Sequence, residues 1–141
     1  MHKDMHHNVK EVVALERIEI SENGTIYGED LDLPSFEQGV GSLEFFIISD
    51  TITDGVHTVG IVEGDVADPT VDVPADEVLG AAAFGADDDN TVKRIGSVGK
   101  KPHTRLKIVS TGVTDGGFLS AIAVLGHPNH MPVPDSAAPT P

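Results

Sequence analysis

The side chains most able to do chemistry in this sequence are histidines and carboxylates. His2, His6 and His7 precede Val9, and His127 and His130 form a His-x-x-His pair near the end. Imidazoles at that spacing bind a transition metal when a helix or rigid strand aligns them and neighbouring groups fix their tautomers. Pro128 breaks any helix joining the pair, so both read as polar tail residues and no metal or other cofactor is expected. The carboxylates raise calcium instead: Glu63, Asp65, Asp68, Asp72 and Asp76 are dense, and Asp87, Asp88 and Asp89 are contiguous. Neither run has the mid-loop glycine and terminal glutamate of an EF-hand, which favours solvated acidic loops. Asp30 and Asp32 have the spacing of paired carboxylates, but Leu33-Pro34 follows and nothing supplies a cleft.

A catalytic reading finds little else. There is no cysteine, and therefore no thiol nucleophile, disulfide framework or Cys-based zinc site. No nucleophile elbow, Gly-rich phosphate loop or convincing Ser-His-Asp order is present, and no enzyme is expected. The formal net charge of −14 argues against nucleic acid, because phosphate contacts need clustered Lys and Arg. No apolar run approaches the roughly 18 residues of a membrane helix. The polar, His-rich start from Met1 to Lys10 is unlike a secretory signal, and synthesis in a cytoplasm is expected.

The elements that would position these groups are strands. With 141 residues, 39% apolar and 4% aromatic, the chain suits one domain with a core of Val, Ile, Leu and Ala. Residues 1–8 read as a flexible arm, 9–126 as one β-rich domain, and 127–141 as an extended Pro-rich tail. Val9 to Ile20 is ambiguous: Val9, Val12 and Val13 fit a helical face, while Ile18 and Ile20 alternate as in a strand, and β-branched content favours strand for the second half. Ser21 to Gly24 is a turn. In Leu43 to Ser49, Leu43, Phe45 and Ile47 share one face, and Phe46 and Ile48 make the other face apolar too. That strand is covered on both sides or lies at an interface. His57 to Glu63 returns after a turn, and Arg105 to Ser110 and Phe118 to Leu125 repeat the plan. Thr53-Asp54-Gly55 and Thr114-Asp115-Gly116 give the two turns the same core, which predicts two hairpins. Ala75 to Ala83 suggests a short helical turn, and Val92 to Val98 a strand. The expected fold is all-β, a small antiparallel sandwich or barrel of jelly-roll-like form.

Two features suggest docking. Lys93, Arg94, Lys100, Lys101, Arg105 and Lys107 are six of the nine basic residues. On strands and a turn they would form one basic edge, either guarding against unwanted strand pairing or meeting an acidic partner. Val9, Val12, Val13 and Leu15, behind the polar arm, are suited to pack on a neighbour's surface.

Several segments share a pattern: Asp4-x-x-x-Asn8-Val9, Leu31-Asp32-Leu33, Thr51-Ile52-Thr53-Asp54-Gly55 with His57-Thr58, and the acidic segment at Glu63. The pattern continues through Arg94-Ile95-Gly96-Ser97-Val98-Gly99-Lys100, Arg105-Leu106-Lys107-Ile108, and the ending Leu125-Gly126-His127-Pro128-Asn129-His130-Met131-Pro132-Val133. In these segments the sequence resembles a family of small tailed-bacteriophage head decoration (cement) proteins encoded beside the major capsid protein. Pro102-His103 departs from it, since relatives tend to place aromatic residues there. The resemblance implies a non-enzymatic virion protein on the outer capsid surface, bridging major capsid subunits, with a trimer favoured. A neck or tail component is the main alternative. A carbohydrate-binding module is a weaker one, given no Trp and one Tyr for stacking on sugars.

Overall fold

The computed structural model describes residues 9–32, 42–97 and 101–126. The expected arm at 1–8, the expected tail at 127–141 with His127 and His130, Leu33-Pro34 and Lys100 lie outside the described residues. Eleven strands account for most of the rest: β1 Val9–Ile20, β2 Gly24–Tyr27, β3 Leu31–Asp32, β4 Ser42–Ile52, β5 Val56–Gly64, β6 Val71–Asp72, β7 Val78–Leu79, β8 Ala82–Phe84, β9 Val92–Ser97, β10 His103–Thr111 and β11 Gly117–Gly126. One sheet has the order β1-β11-β4-β9-β7. The other runs β2-β10-β5-β6, with β3 on β10 and β8 on β5.

The two expected hairpins do not form. β4 pairs with β11 and β9, whereas β5 pairs with β10 in the opposite sheet. The Thr53–Gly55 and Gly112–Gly116 turns therefore carry the chain across the sandwich instead of back along the same sheet. β1 to β2 and β8 to β9 cross in the same way, since β1 lies on β11, β2 on β10, β8 on β5 and β9 on β4. Four arches thus stack side by side, alternating in direction, over sheets ordered β1-β11-β4-β9 and β2-β10-β5-β8. That order is a jelly roll, so the all-β sandwich expectation holds.

β1 is a strand throughout. Its register shifts between Val13 and Leu15 and again between Leu15 and Ile18, and each irregularity disturbs the inside–outside alternation. Ala14 and Leu15 are consequently both buried. The spacing of Val9, Val12 and Val13 looks helical because this part of the strand is apolar on both sides: in an unbroken register Val12 is half-buried and Val13 exposed. Past the bulge, the Glu29 N–H donates to the Ala14 carbonyl at 2.7 Å and the Gly28 N–H to the Leu106 carbonyl at 2.9 Å, tying the two sheets together. The helical turn expected over Ala75 to Ala83 shrinks to a 3₁₀ turn, Ala75–Glu77, followed by β7 and β8.

Between the sheets, alternate residues of the long strands form the core. Phe45 and Ile47 of β4, Leu106 and Ile108 of β10, Phe84 of β8 and Leu119 of β11 are all nearly or wholly inaccessible. One end of this core is polar and internally satisfied. His57, fully buried, meets the Ser110 hydroxyl through Nδ1 at 2.7 Å and the Asp54 carbonyl through Nε2 at 3.2 Å.

The arch corners are fastened by side chains. Asp54 of one Thr-Asp-Gly turn accepts the backbone N–H groups of Thr114, Asp115 and Gly116 of the other, at 3.0, 3.1 and 2.9 Å. Asn23 accepts the Val113 N–H at 2.8 Å, and Asp89 accepts the Ile52 N–H at 2.8 Å. Within the β8–β9 corner, Asp88 accepts the Gly85 N–H at 2.8 Å. These amide bonds hold the Asp54 and Asp88 carboxyls below the ordinary carboxylate range. In each case the unfolded chain takes up the proton first. The stabilisation is therefore complete above the unfolded pKa and is lost as pH falls through the folded one. Asp54→Asn is expected to melt below wild type at neutral pH, with the gap closing below about pH 4. A thermal-melt series across pH checks this, and a gap that stays constant into acid would refute it.

Candidate assembly face

Three arrangements of side chains have the makings of a site. The first is the Asp54, His57 and Ser110 group at the polar end of the core. It superficially matches a triad, but Asp54 contributes its carbonyl to the imidazole while its carboxylate faces the neighbouring turn. Ser110 is 2% exposed and His57 0%, so no substrate reaches the hydroxyl. The arrangement is a structural knot that satisfies buried polar groups. Sequence spacing alone does not reveal it, although a His and a Ser on inward positions of strands near Asp-Gly turns are its visible trace.

The second is an apolar groove of about 700 Å³ where the sheet edges diverge, lined by Ile61, Val73, Val78, Ala82 and Ile95 together with Lys93 and Lys107. Both ammonium groups are already engaged. Lys107 pairs with Asp72 at 2.5 Å. Lys93 donates to the Ala83 carbonyl at 2.6 Å and sits 3.3 Å from Asp88. The groove presents no uncompensated charge to a polar ligand.

The expected basic edge is dispersed by the same pairing. Lys93 and Arg94 are adjacent on β9 and so point to opposite sides, while Arg105 and Lys107 lie on the outer face of the other sheet. Arg105 stacks on Tyr27 at 4.0 Å, donates to the Pro69 carbonyl at 2.8 Å and approaches Asp68 at 3.7 Å. Lys101 reaches Asp65 at 3.5 Å. The acidic loop between β5 and β6 is thus pinned by the basic residues across from it. Asp30, read as one of a carboxylate pair, meets His103 Nδ1 at 3.1 Å.

Glu63 belongs to the same region, at the end of the core away from the arch corners. It is 9% exposed, and its Oε1 has no hydrogen-bond partner among the described residues. Burial, then the charges of Glu77 and Asp65, push its carboxyl above the ordinary range against the opposing pull of Lys101. Its ionised form therefore costs stability at neutral pH, and that cost disappears as pH falls through its raised pKa. Glu63→Gln is expected to stabilise the fold by up to about 1 kcal/mol at pH 7, with the gain shrinking toward pH 4. An unchanged or lowered Tm at pH 7 would contradict this.

The third arrangement is the outer face of the β1-β11-β4-β9 sheet. Register places Val13 beside Ile122, Ile122 beside Phe46, and Phe46 beside Arg94; Ile48 pairs with Val92 one step along. Val13 is 55%, Val92 59%, Ile48 39% and Ile122 37% exposed, with Phe46 half-buried among them. These residues form a contiguous apolar surface across four strands, of the kind that marks an interaction site. Of the valine-rich docking set, Val13 belongs to this face. Leu15 is in the core, Val12 is half-buried toward it, and the side chain of Val9 lies outside the described residues. Of the basic set, Arg94 is the member on this face. Arg17, not singled out in the sequence, stacks on Phe118 at 4.2 Å and pairs with Asp50 at 2.7 Å beside it.

Comparison with known proteins adds little to this geometry. No family model matches the chain, and no curated protein matches it. Among solved structures, the chain is similar to the tobacco streak virus coat protein at 17% identity, covering 96% of this chain and 97% of that one with a TM-score of 0.39. It is also similar to the infectious bursal disease virus VP2 subviral particle at 17% identity over 84% of this chain, with a TM-score of 0.36. The chain spans about a third of that VP2 chain, 32% of its length.

Proposed function

We propose that this chain is a non-enzymatic structural protein of a virion that covers the outer surface of an icosahedral shell and bridges major capsid subunits as a homo-oligomer. The observation that carries the reading is the apolar outer face of the β1-β11-β4-β9 sheet, on a jelly roll whose buried His57 and Ser110 are spent on its own corner. A jelly roll hosts several functions, so the fold alone does not choose among them. The reading draws further on the tailed-phage resemblance in the sequence. It also draws on the acidic composition, which keeps a densely displayed protein soluble and free of polyanions.

Shells lacking the chain test the reading. Purified protein added to them is expected to bind to saturation and to raise the temperature at which the shells fall apart. Substituting Lys100→Glu together with Lys101→Glu asks whether the basic residues near β10 take part. Weakened occupancy would assign them a docking role, and unchanged occupancy would remove them from it. Failure of the unmodified chain to bind any shell would sink the proposal.

A further inference from the structure

We propose that the apolar outer face of the β1-β11-β4-β9 sheet is occupied by a second copy of this chain, in a closed ring whose axis runs along the strands. This rests on the homo-oligomer reading above and names its surface. The two margins of the face differ in charge. Along β1 lie Glu11, Glu16 and Glu19, all exposed, with Arg17 neutralised by Asp50. Along β9, which β7 covers only at Gly96 and Ser97, lies Arg94, exposed and with no ion pair among the described residues. Glu44 lies over Gly96 at one end of that margin, where an added Cβ would meet its Oε1 at 2.2 Å.

These charges select one packing. Turning a second copy about an axis across the strands lays β1 on β1 and stacks the glutamates of both copies on each other. Turning it about an axis along the strands brings the β9 margin of each copy to the β1 margin of the next. Arg94 is level with Val13 through the Val13–Ile122–Phe46–Arg94 row, so it meets Glu16, which flanks Val13 in the groove on that face. Like charges across an interface are costly and opposite ones fix register. Two copies close by meeting face to face, and three close by inclining their faces so that each presents one margin and receives the other.

The size of the face sets the strength. Four strands spaced about 4.8 Å apart and about eight residues long at 3.4 Å cover roughly 500 Å². A standard stable interface buries about 800 Å² per partner, so association is expected to be weak, in the micromolar range of Kd.

Sedimentation equilibrium over a concentration series tests the proposal on the full chain. The unmodified protein is expected to pass from monomer to a closed dimer or trimer as concentration rises. Ile122→Asp, and independently Val13→Asp on the edge strand, should weaken association by roughly 100-fold by burying an unpaired charge. Arg94→Glu should weaken it roughly 10-fold, and adding Glu16→Arg to the same chain should restore it. Circular dichroism confirms that each variant is folded. A chain monomeric to about 1 mM, open-ended association, association indifferent to both aspartate variants, or no rescue by the charge exchange would each overturn the proposal. A monomer that still coats particles in quantity would overturn this contact and leave the virion reading standing.

Discussion

Gly116→Ala is expected to cost more than about 4 kcal/mol of stability, whereas Gly112→Ala, four residues earlier in the same corner, should cost about 1–2 kcal/mol. Both glycines have positive φ, +76° at Gly116 and +66° at Gly112, so both substitutions incur the strain of a side chain in the left-handed region. They differ in what the new methyl meets. At Gly112 there is nothing within 4 Å, while at Gly116 an ideal Cβ falls 1.6 Å from the Ile20 carbonyl oxygen and 2.7 Å from its carbon. The obstacle is backbone in the neighbouring arch and cannot rotate away. Relief requires β1 to leave β11 at Ile20, where Ile20 pairs with Gly117, and requires Asp54 to release the Gly116 N–H. A loss above about 4 kcal/mol follows, out of a total near 5–15 for a domain of this kind. Denaturant melts of the two alanine variants check the contrast. Equal destabilisation would mean that the arches do not stack as described.

The second large effect separates two neighbouring phenylalanines. Phe45→Ala removes a fully buried ring from the centre of the core and is expected to cost about 3–5 kcal/mol. Phe46→Ala acts on the opposite side of the same strand, in the half-buried middle of the outer face, and should cost less than about 1.5 kcal/mol. Its effect should appear in association instead, since Phe46 sits between Ile122 and Arg94 on that face. Equilibrium unfolding supplies both numbers. Similar costs for the two would indicate that the outer face is covered within a single chain.

Much of the fold is legible in the sequence because alternation reports directly on burial. Arg105 to Ser110 and Leu43 to Ser49 have the inward and outward residues their pattern implies. The doubly apolar pattern at Phe46 and Ile48 by itself marks the strand that carries the outer apolar face. Strand pairing is not legible in the same way. A Thr-Asp-Gly turn permits a reversal within one sheet or a crossing between two, and nothing local decides which. What decides it is distant: Asp54 capping residues 114–116, and Gly116 admitting Ile20, with partners sixty or more residues away in sequence. The basic residues divide between faces for a reason that period two already contains. Lys93 and Arg94 are consecutive on a strand and cannot share a face. The acidic loop then absorbs Lys101 and Arg105, and Asp72 of β6 absorbs Lys107, through contacts that sequence spacing does not encode.

The most direct test of the virion assignment is the copy number of this chain in purified particles, measured by quantitative mass spectrometry against the major capsid protein. A protein that covers the shell is expected in the hundreds per particle, in fixed and near-equal proportion to the capsid subunit. About a dozen copies would place it in a neck or tail ring, and absence from particles would contradict the structural reading altogether.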